Sequence, residues 1–462
     1  MHLLINPMKP LYLFVYLAIF LFSCKKDDSY VHNSKYPLTF SEDTVSFDTV
    51  FTSAGSTTRR IKIFNLDKKA VVISQIKLFG GSASAYQINV NGIASHQISN
   101  FEIPARDSIN LFVKVTINPN SQESPFIVKD SINFVTNGAT QVINLKAYGQ
   151  NAHFLNNAVI NENTTWDNKL PYVISNKLLI NEGKTLTVPK GSRIYFHKGG
   201  KMEVAGTLRI EGEASDTVTF ASDRLERLPY AEERGQWDGI RLLRTSKDNF
   251  IKHATIKNAL IGIQVDSASV NSSPKLLIVN SIVKNMEVAG ILGYNTSIAG
   301  FNNLLSNCGK YLIYCPNGGF YDFKQNTLVN LNSRTTPSLF FSDSANSTGA
   351  TTLDVTLINN IIWGSLQDEL RVEKKGSQFK QLIRSNLVKS LDKVTLESLG
   401  NIVNSDPLFI PNSLTFSLQA GSSAENEGED LSSDPYFNQW LSMDQHLTPR
   451  LFPSELGCYE IF

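Results

Sequence analysis

Residues 302–307 read NNLLSN: two polar residues, two apolar residues, a variable residue and a closing Asn. The same order of residue types returns along the chain. The first positions of the successive units are separated by 27, 22, 23, 34 and 26 residues. The other units are 253–258 (HATIKN), 280–285 (NSIVKN), 325–330 (QNTLVN), 359–364 (NNIIWG) and 385–390 (SNLVKS).

A period in the twenties with occasional inserted loops is typical of a solenoid, in which each repeat stacks on the next. Leucine-rich repeats share this length, but their regular Leu framework is absent. Short strands and Asn corners favour the coils of a parallel β-helix. We expect Asn285, Asn307 and Asn330 to lie in one column, residues 282–283 to lie over 304–305, and the polar segment 342–352 to form a loop.

Three phrases resemble known β-helix proteins. Residues 235–240 (GQWDGI) and 359–364 (NNIIWG) are similar to phrases of pectate-lyase-like folds. The tail, from 406–409 (DPLF) to 457–460 (GCYE), resembles the C-terminal module of secreted β-helix proteins. The resemblance implies a right-handed parallel β-helix over 151–404. It also implies a C-terminal cap module over 405–462, which we expect to cover the final coil.

Residues 36–150 contain seven to eight short runs in which apolar and polar residues alternate, separated by turn-forming residues. Alternation lets one face of a strand pack while the other meets water. This pattern predicts a β-sandwich ahead of the solenoid, so the expected fold class is all-β. The phrases at 48–51, 130–132 and 147–150 resemble the immunoglobulin-like modules of Bacteroidetes envelope lipoproteins.

The N-terminus has the features of an export signal. Residues 11–22 are twelve apolar residues, too few to span a bilayer as a helix, and they follow Lys9. The phrase ending at Cys24 resembles a bacterial lipobox, which implies that residues 1–23 are a signal peptide and that Cys24 carries lipid. Residues 24–35 would then be a tether, beginning with a Lys-Lys-Asp-Asp tag like that of Bacteroidetes lipoproteins. The alternatives are an ordinary secretory signal or a short anchor.

Composition excludes some partners. The formal charge is +1, which gives no long-range attraction to nucleic acid, so we expect none as a partner. Lipid on Cys24, rather than charge, would hold the protein at a membrane, and the resemblance implies the outer membrane. Four cysteines are too few for a disulfide scaffold. Cys308 and Cys315 form either a disulfide or two buried thiols.

The candidate glycan-binding residues are Tyr230, Trp237, Arg241 and Arg244, because charged residues crowd this stretch and aromatic rings stack on sugars. The alternative is a solvated insertion loop with a packing Trp. Asp322 and Lys324 share a strand face and are interpreted as a surface pair. The histidines show no metal-ligand spacing, and no catalytic residue, metal site or cofactor is predicted.

Two functions compete. We favour a non-catalytic envelope lipoprotein that binds glycan or another surface component along the β-helix. The alternative is a polysaccharide lyase or glycoside hydrolase acting on acidic glycans, with calcium only for the lyase. A cluster of Asp, Lys and Arg from adjacent coils in one groove would favour the enzyme.

Overall fold

The computed structural model describes residues 30–31, 37–226, 230–343, 351–376 and 378–461. The predictions for the signal peptide and for Cys24 lie outside these residues, as does most of the predicted 342–352 loop. In the part of the chain that is described, no helix has the length and apolar character needed to cross a membrane.

The first unit consists of two five-stranded sheets that enclose a shared apolar core, including Ile63, Ile73 and Phe134. Strand pairing is antiparallel except between β2 and β10. One sheet has the order β1 (Leu38–Phe40), β3 (Arg59–Asn65), β8 (Ser108–Val115), β5 (Tyr86–Val90), β6 (Ile93–Ala94). The other has the order β2 (Thr44–Phe51), β10 (Ala139–Gln150), β9 (Phe126–Thr136), β4 (Val71–Leu78), β7 (Gln97–Ile103).

The second unit is a solenoid in which nine coils each give one strand to each of three parallel sheets, and β38 and β39 add two further strands to the first sheet. The first sheet contains β11 (His153–Leu155), β14 (Tyr172–Ile174), β17 (Arg193–Phe196), β20 (Val218–Ser222), β23 (Ala254–Lys257), β26 (Ile282–Lys284), β29 (Leu304–Ser306), β32 (Thr327–Asn330), β35 (Ile361–Gly364), β38 (Leu387–Val388) and β39 (Ile402–Val403).

The second sheet contains β12 (Ala158–Ile160), β15 (Lys177–Ile180), β18 (Lys201–Val204), β21 (Gly239–Leu242), β24 (Ile261–Asp266), β27 (Ala289–Tyr294), β30 (Tyr311–Cys315), β33 (Leu339–Ser342) and β36 (Leu370–Glu373). The third sheet contains β13 (Thr164–Thr165), β16 (Thr185–Pro189), β19 (Thr207–Glu211), β22 (Asn249–Lys252), β25 (Leu276–Val279), β28 (Thr296–Phe301), β31 (Gly319–Lys324), β34 (Leu353–Ile358) and β37 (Phe379–Arg384). The predicted all-β fold with a parallel β-helix is confirmed.

Helical structure is confined to short segments in the described chain. These are helix α1 (Lys393–Ser398), 3-10 turns at Gly81–Ala83 and Tyr230–Glu232, and a π-helical turn at Phe437–Leu441.

Apolar side chains at equivalent positions stack through the interior of the solenoid. Strand register places residues 282–283 over 304–305, as predicted. One aliphatic column, at most 1% exposed, consists of Ile256, Val283, Leu305, Leu328, Ile362 and Val388. Such stacking buries the apolar face that a single coil would leave in water.

An asparagine ladder runs beside this core. The backbone N–H and Nδ2 of Asn326 both donate to Oδ1 of Asn360, each at 2.9 Å. Asn360 donates in the same way to Asn386, at 2.8 and 2.9 Å. Asn303 and Asn401 extend the ladder at its two ends. These buried amides therefore satisfy one another at the corner before each of the last five strands of the first sheet.

Residues 405–461 contact the last two strands of the first sheet, where Phe409 and Leu418 share an apolar cluster with Leu387 and Ile402. They run back along the outside of the solenoid, where the backbone N–H of Cys458 donates to Oγ1 of Thr327 at 3.0 Å and Leu441 packs with Phe301. The core is covered near the last coil by α1, whose Leu396 packs with the interior residues. The outer faces of several strands are apolar, and the C-terminal segment buries them.

The cysteines Cys308, Cys315 and Cys458 are buried free thiols. Of the two alternatives for Cys308 and Cys315, the structure shows the thiols. Burial raises the pKa of each of these thiols to about 12, so they pack as small apolar groups.

Candidate functional site: a groove on the third sheet

Trp237 is part of the core and is not available to stack on a sugar. It is 1% exposed, and its ring stacks on Phe196 with centroids 4.0 Å apart. Its Nε1 donates to the carbonyl oxygen of Lys257 at 2.9 Å. The structure therefore shows the alternative interpretation of a packing tryptophan.

The other three predicted glycan-binding residues are exposed, but they do not form one site. The Arg224 guanidinium lies 3.9 Å from the Tyr230 ring centroid, in an insertion held over the first sheet by contacts of Glu232 with Lys257 and Lys284. Arg241 instead lies on the second sheet. Nε of Arg241 donates to Oδ2 of Asp266 at 2.6 Å. Arg244 follows β21, and its carbonyl accepts a hydrogen bond from Lys275.

A different set of polar and aromatic side chains converges on the outer face of the third sheet. Side chains of a strand point alternately in and out, so Phe320, Asp322 and Lys324 of β31 all face outward. Register pairs Phe320 with Asp354 and pairs Asp354 with Lys380 of the next coil. Three consecutive coils thus bring carboxylates, ammonium groups and an aromatic ring together.

The C-terminal segment provides one wall of this groove. Residues 431–452, here called the C-terminal arm, cross the third sheet and bury Val279, Phe301 and Ile358. Tyr436 and Trp440 of the arm line two adjoining cavities of about 480 and 380 Å³. Both cavities are lined by Ser273, Pro274 and Tyr436, so they form one groove between the arm and the 268–274 loop.

Lys324 ties the arm to the sheet. Its Nζ lies 2.8 Å from Oδ2 of Asp322 and 2.6 Å from Oδ2 of Asp434, and its side chain is only 7% exposed. Oδ1 of Asp434 accepts a hydrogen bond from the backbone N–H of Tyr436 at 2.8 Å. Burial lowers the pKa of Lys324, but the two carboxylates more than offset this, so the net pKa is raised and the ammonium form is stabilised.

Asp322 is a carboxyl group in the groove whose pKa is raised. Burial raises its pKa, and Asp434 and Asp354 add to the rise, while Lys324 lowers it without cancelling the shift. Its Oδ1 is buried and has no hydrogen-bond partner among the described residues. Such a carboxyl can hold a proton more readily than an exposed aspartate.

Asp354 has a different environment. Oδ2 of Asp354 lies 3.3 Å from Nζ of Lys380, and the two side chains are 25% and 75% exposed. Asp354 and Asp322 are diagonal neighbours on adjacent parallel strands, because Asp354 pairs with Phe320 while Asp322 pairs with Thr356. The groove thus combines two carboxyl groups with unlike surroundings.

The sequence pattern identified Asp322 and Lys324 as neighbours but missed the groove around them. Asp354 lies on the next coil, within the 34-residue step from residue 325 to residue 359, and Asp434 comes from a segment without repeats. The aromatic cluster at 436–440 (YFNQW) is the one sequence feature that hints at a packing arm. No group of three or more His, Cys, Asp or Glu residues that could hold a metal ion occurs in the described ranges.

No family model matches the sequence, and no curated protein matches it. Among solved structures, the catalytic unit of a thermostable GH87 alpha-1,3-glucanase from Streptomyces thermodiastaticus shares 11% identity over 71% of this chain and 77% of its own, with a TM-score of 0.26.

A family 123 glycoside hydrolase from Clostridium perfringens shares 11% identity over 25% of each chain, with a TM-score of 0.18. A Porphyromonas gingivalis W83 protein of unknown function shares 12% identity over 27% of this chain and 60% of its own, with a TM-score of 0.18. This chain therefore spans a quarter of the length of the glycoside hydrolase and three-fifths of the length of the Porphyromonas gingivalis protein. Likenesses this low carry no argument about function.

Proposed function

We propose that the groove on the third sheet binds a carbohydrate chain. The observation that carries the proposal is the convergence of Phe320, Asp322 and Asp354 from neighbouring coils opposite Tyr436 of the C-terminal arm. Aromatic faces pack on the C–H faces of sugar rings, and carboxylates accept hydrogen bonds from sugar hydroxyls.

The proposal also accounts for an exposed aromatic side chain. Phe320 is 52% exposed at the groove, although exposing the apolar surface of its ring to water is unfavourable. The half-buried Trp440 ring lines the adjoining cavity. Both rings would gain contacts from a sugar chain lying along the groove.

The experiment is a glycan array followed by calorimetry, with wild-type protein and two alanine variants. Phe320→Ala is expected to weaken binding by about 5- to 150-fold, which corresponds to roughly 1–3 kcal/mol for a lost aromatic contact. Tyr294→Ala is the control, because Tyr294 is 39% exposed on the second sheet, outside the groove. Equal binding by wild type and Phe320→Ala would contradict the proposal.

The proposed setting is the outer membrane, with lipid on Cys24 as the anchor and residues 36–150 as an immunoglobulin-like spacer. It is supported by the apolar run at 11–22, the cysteine that ends the lipobox-like phrase and the polar tether that follows. Mass spectrometry of the N-terminal peptide tests it. A diacylglyceryl adduct on Cys24 is expected, and an unmodified Cys24 in the mature protein would contradict it.

A second candidate function is glycoside hydrolysis, favoured by the raised pKa of Asp322 next to the ion-paired Asp354. Asp322 would donate its proton to the glycosidic oxygen, and Asp354 would take a proton from the water that attacks the anomeric carbon. Carboxyl groups roughly 6.5–9.5 Å apart leave room for that water. New reducing ends that disappear in Asp322→Asn, with binding retained, would establish the enzyme. Binding without cleavage would leave the non-catalytic function.

A further inference from the structure

We infer that the groove accepts uncharged glycans and rejects glycans that carry carboxylates. The inference deepens the proposed function and rests on it. It also differs from the alternative of an enzyme for acidic glycans, because such an enzyme would bind carboxylated sugars, whereas this groove would exclude them. The preference follows from which charges face the groove and which of them are already paired.

Acidic groups dominate the groove. Asp322 and Asp354 line its first cavity, and Asp248 lines the second. Asp434, at 12% side-chain exposure, lies behind the wall formed by the arm. An anionic sugar placed among these carboxylates would meet like charges at short range, which is unfavourable where water is partly excluded.

The cations near the groove are occupied. Lys324 is held between Asp322 and Asp434 and is only 7% exposed, so its ammonium is shielded from a ligand. Nζ of Lys380 lies 3.3 Å from Asp354, and Arg209 pairs with Glu211 at 2.9 Å. Among the residues described at the groove, therefore, no Arg or Lys stands unpaired to receive a carboxylate.

The same composition suits hydroxyl groups. A neutral sugar presents many O–H donors, and the groove offers the exposed carboxylate oxygens of Asp354 and Asp248 as acceptors. Ser269, Ser272 and Asn271 of the 268–274 loop add uncharged hydrogen-bonding groups on the other side. A neutral sugar chain can therefore bind while all the ion pairs at the groove stay intact. A uronate would have to break one of these ion pairs to gain a cation for its carboxylate.

The test compares oligosaccharides that differ only in charge. Glucan oligosaccharides of several linkages, and the same oligosaccharides oxidised to carboxylates at C6, are titrated into the full protein. We expect the neutral member of the best-binding pair to bind at least tenfold more tightly. Asp354→Asn removes one negative charge and releases Lys380, so it should strengthen binding of the oxidised member several-fold and narrow the preference.

Glu182→Gln is the matched control, because Glu182 is exposed on the solenoid between β15 and β16, outside the residues that line the groove. This variant should leave both affinities unchanged. Equal or tighter binding of the oxidised member, lost in Phe320→Ala, would overturn the inference while upholding the groove as a glycan site. Absence of binding by every neutral and oxidised member would overturn the proposed function and the inference with it.

Discussion

His253 occupies a corner position that other coils fill with Asn, Gln or Ser. Its φ is 44°, in the left-handed region that L residues rarely adopt and that Asn tolerates best. Its Nε2 lies 3.2 Å from Nδ2 of Asn280, and the residue is 6% exposed. Burial lowers the pKa of His253 to about 4, with a smaller contribution from the Lys252 charge, so the imidazole is neutral in the fold.

Replacing this histidine should change how stability depends on pH. The unfolded chain binds a proton near pH 6.5, whereas the folded chain resists protonation until about pH 4. Stability from the neutral imidazole is therefore present above pH 6.5 and is lost as pH falls from 6.5 to about 4, by on the order of 3 kcal/mol. His253→Asn keeps a residue suited to positive φ and should lose less stability over this range.

Urea unfolding of wild type and His253→Asn at pH 7 and pH 4.5 measures this difference. Other groups titrate in both proteins, so the difference between the two isolates the histidine. An identical loss of stability in both proteins between the two pH values would contradict the assignment.

The asparagines show what a single sequence can and cannot predict at this scale. Strand register places Asn285, Asn307 and Asn330 in one column, as expected from the repeat. The hydrogen-bonded ladder, however, runs through the second position of the repeat, where Asn326 bonds to Asn360. Both the second and the last position of the repeat carry Asn in the sequence. The amides at the second position bond to one another because they lie at the buried corner beside the core.

The C-terminal arm is the element on which the groove depends. It is held by apolar packing on the third sheet and by the contact between Asp434 and Lys324. Lys324 contacts two carboxylates, and Asp434→Asn removes one of them and leaves that of Asp322. Because the pair is largely buried, we expect the arm to lose about 1–3 kcal/mol of its attachment.

Hydrogen–deuterium exchange measures this loss locally. Amides of residues 431–452 should exchange about 5- to 150-fold faster in Asp434→Asn, while strands β23 to β32 keep their protection. Glu427→Gln is the control, because Glu427 is exposed and precedes the arm. Unchanged exchange in the arm of Asp434→Asn would show that apolar packing alone holds it.

Elements with a repeat were predictable, and this arm was not. The alternation of residues along β31 is enough to predict that Asp322 and Lys324 share one face of the strand. Residues 431–452 carry neither a strand pattern nor a repeat, so nothing local indicates that they run backward along the solenoid. Their position follows from the apolar outer faces of Val279, Phe301 and Ile358, which must be covered by something.

At the scale of the whole molecule, the C-terminal segment covers apolar outer faces of the solenoid as well as forming a wall of the groove. Leu304, Ile361 and Leu387 point outward from the first sheet and are buried by the tail. Phe301 and Ile358 are buried on the third sheet. A chain that ends after residue 404 keeps α1 over the last coil but exposes two apolar faces, and contiguous exposed apolar patches promote aggregation.

We therefore expect the chain truncated after residue 404 to aggregate and to bind a hydrophobic dye, as measured by size-exclusion chromatography and fluorescence. The matched variant carries Phe301→Ser and Ile358→Ser in the truncated chain. If exposed outer faces cause the aggregation, these two substitutions should restore part of the monomer although they add no stabilising contact. If the truncated chain were instead monomeric and as stable as the full chain, the covering role of the tail would be wrong. Its contacts would then serve only to form the groove.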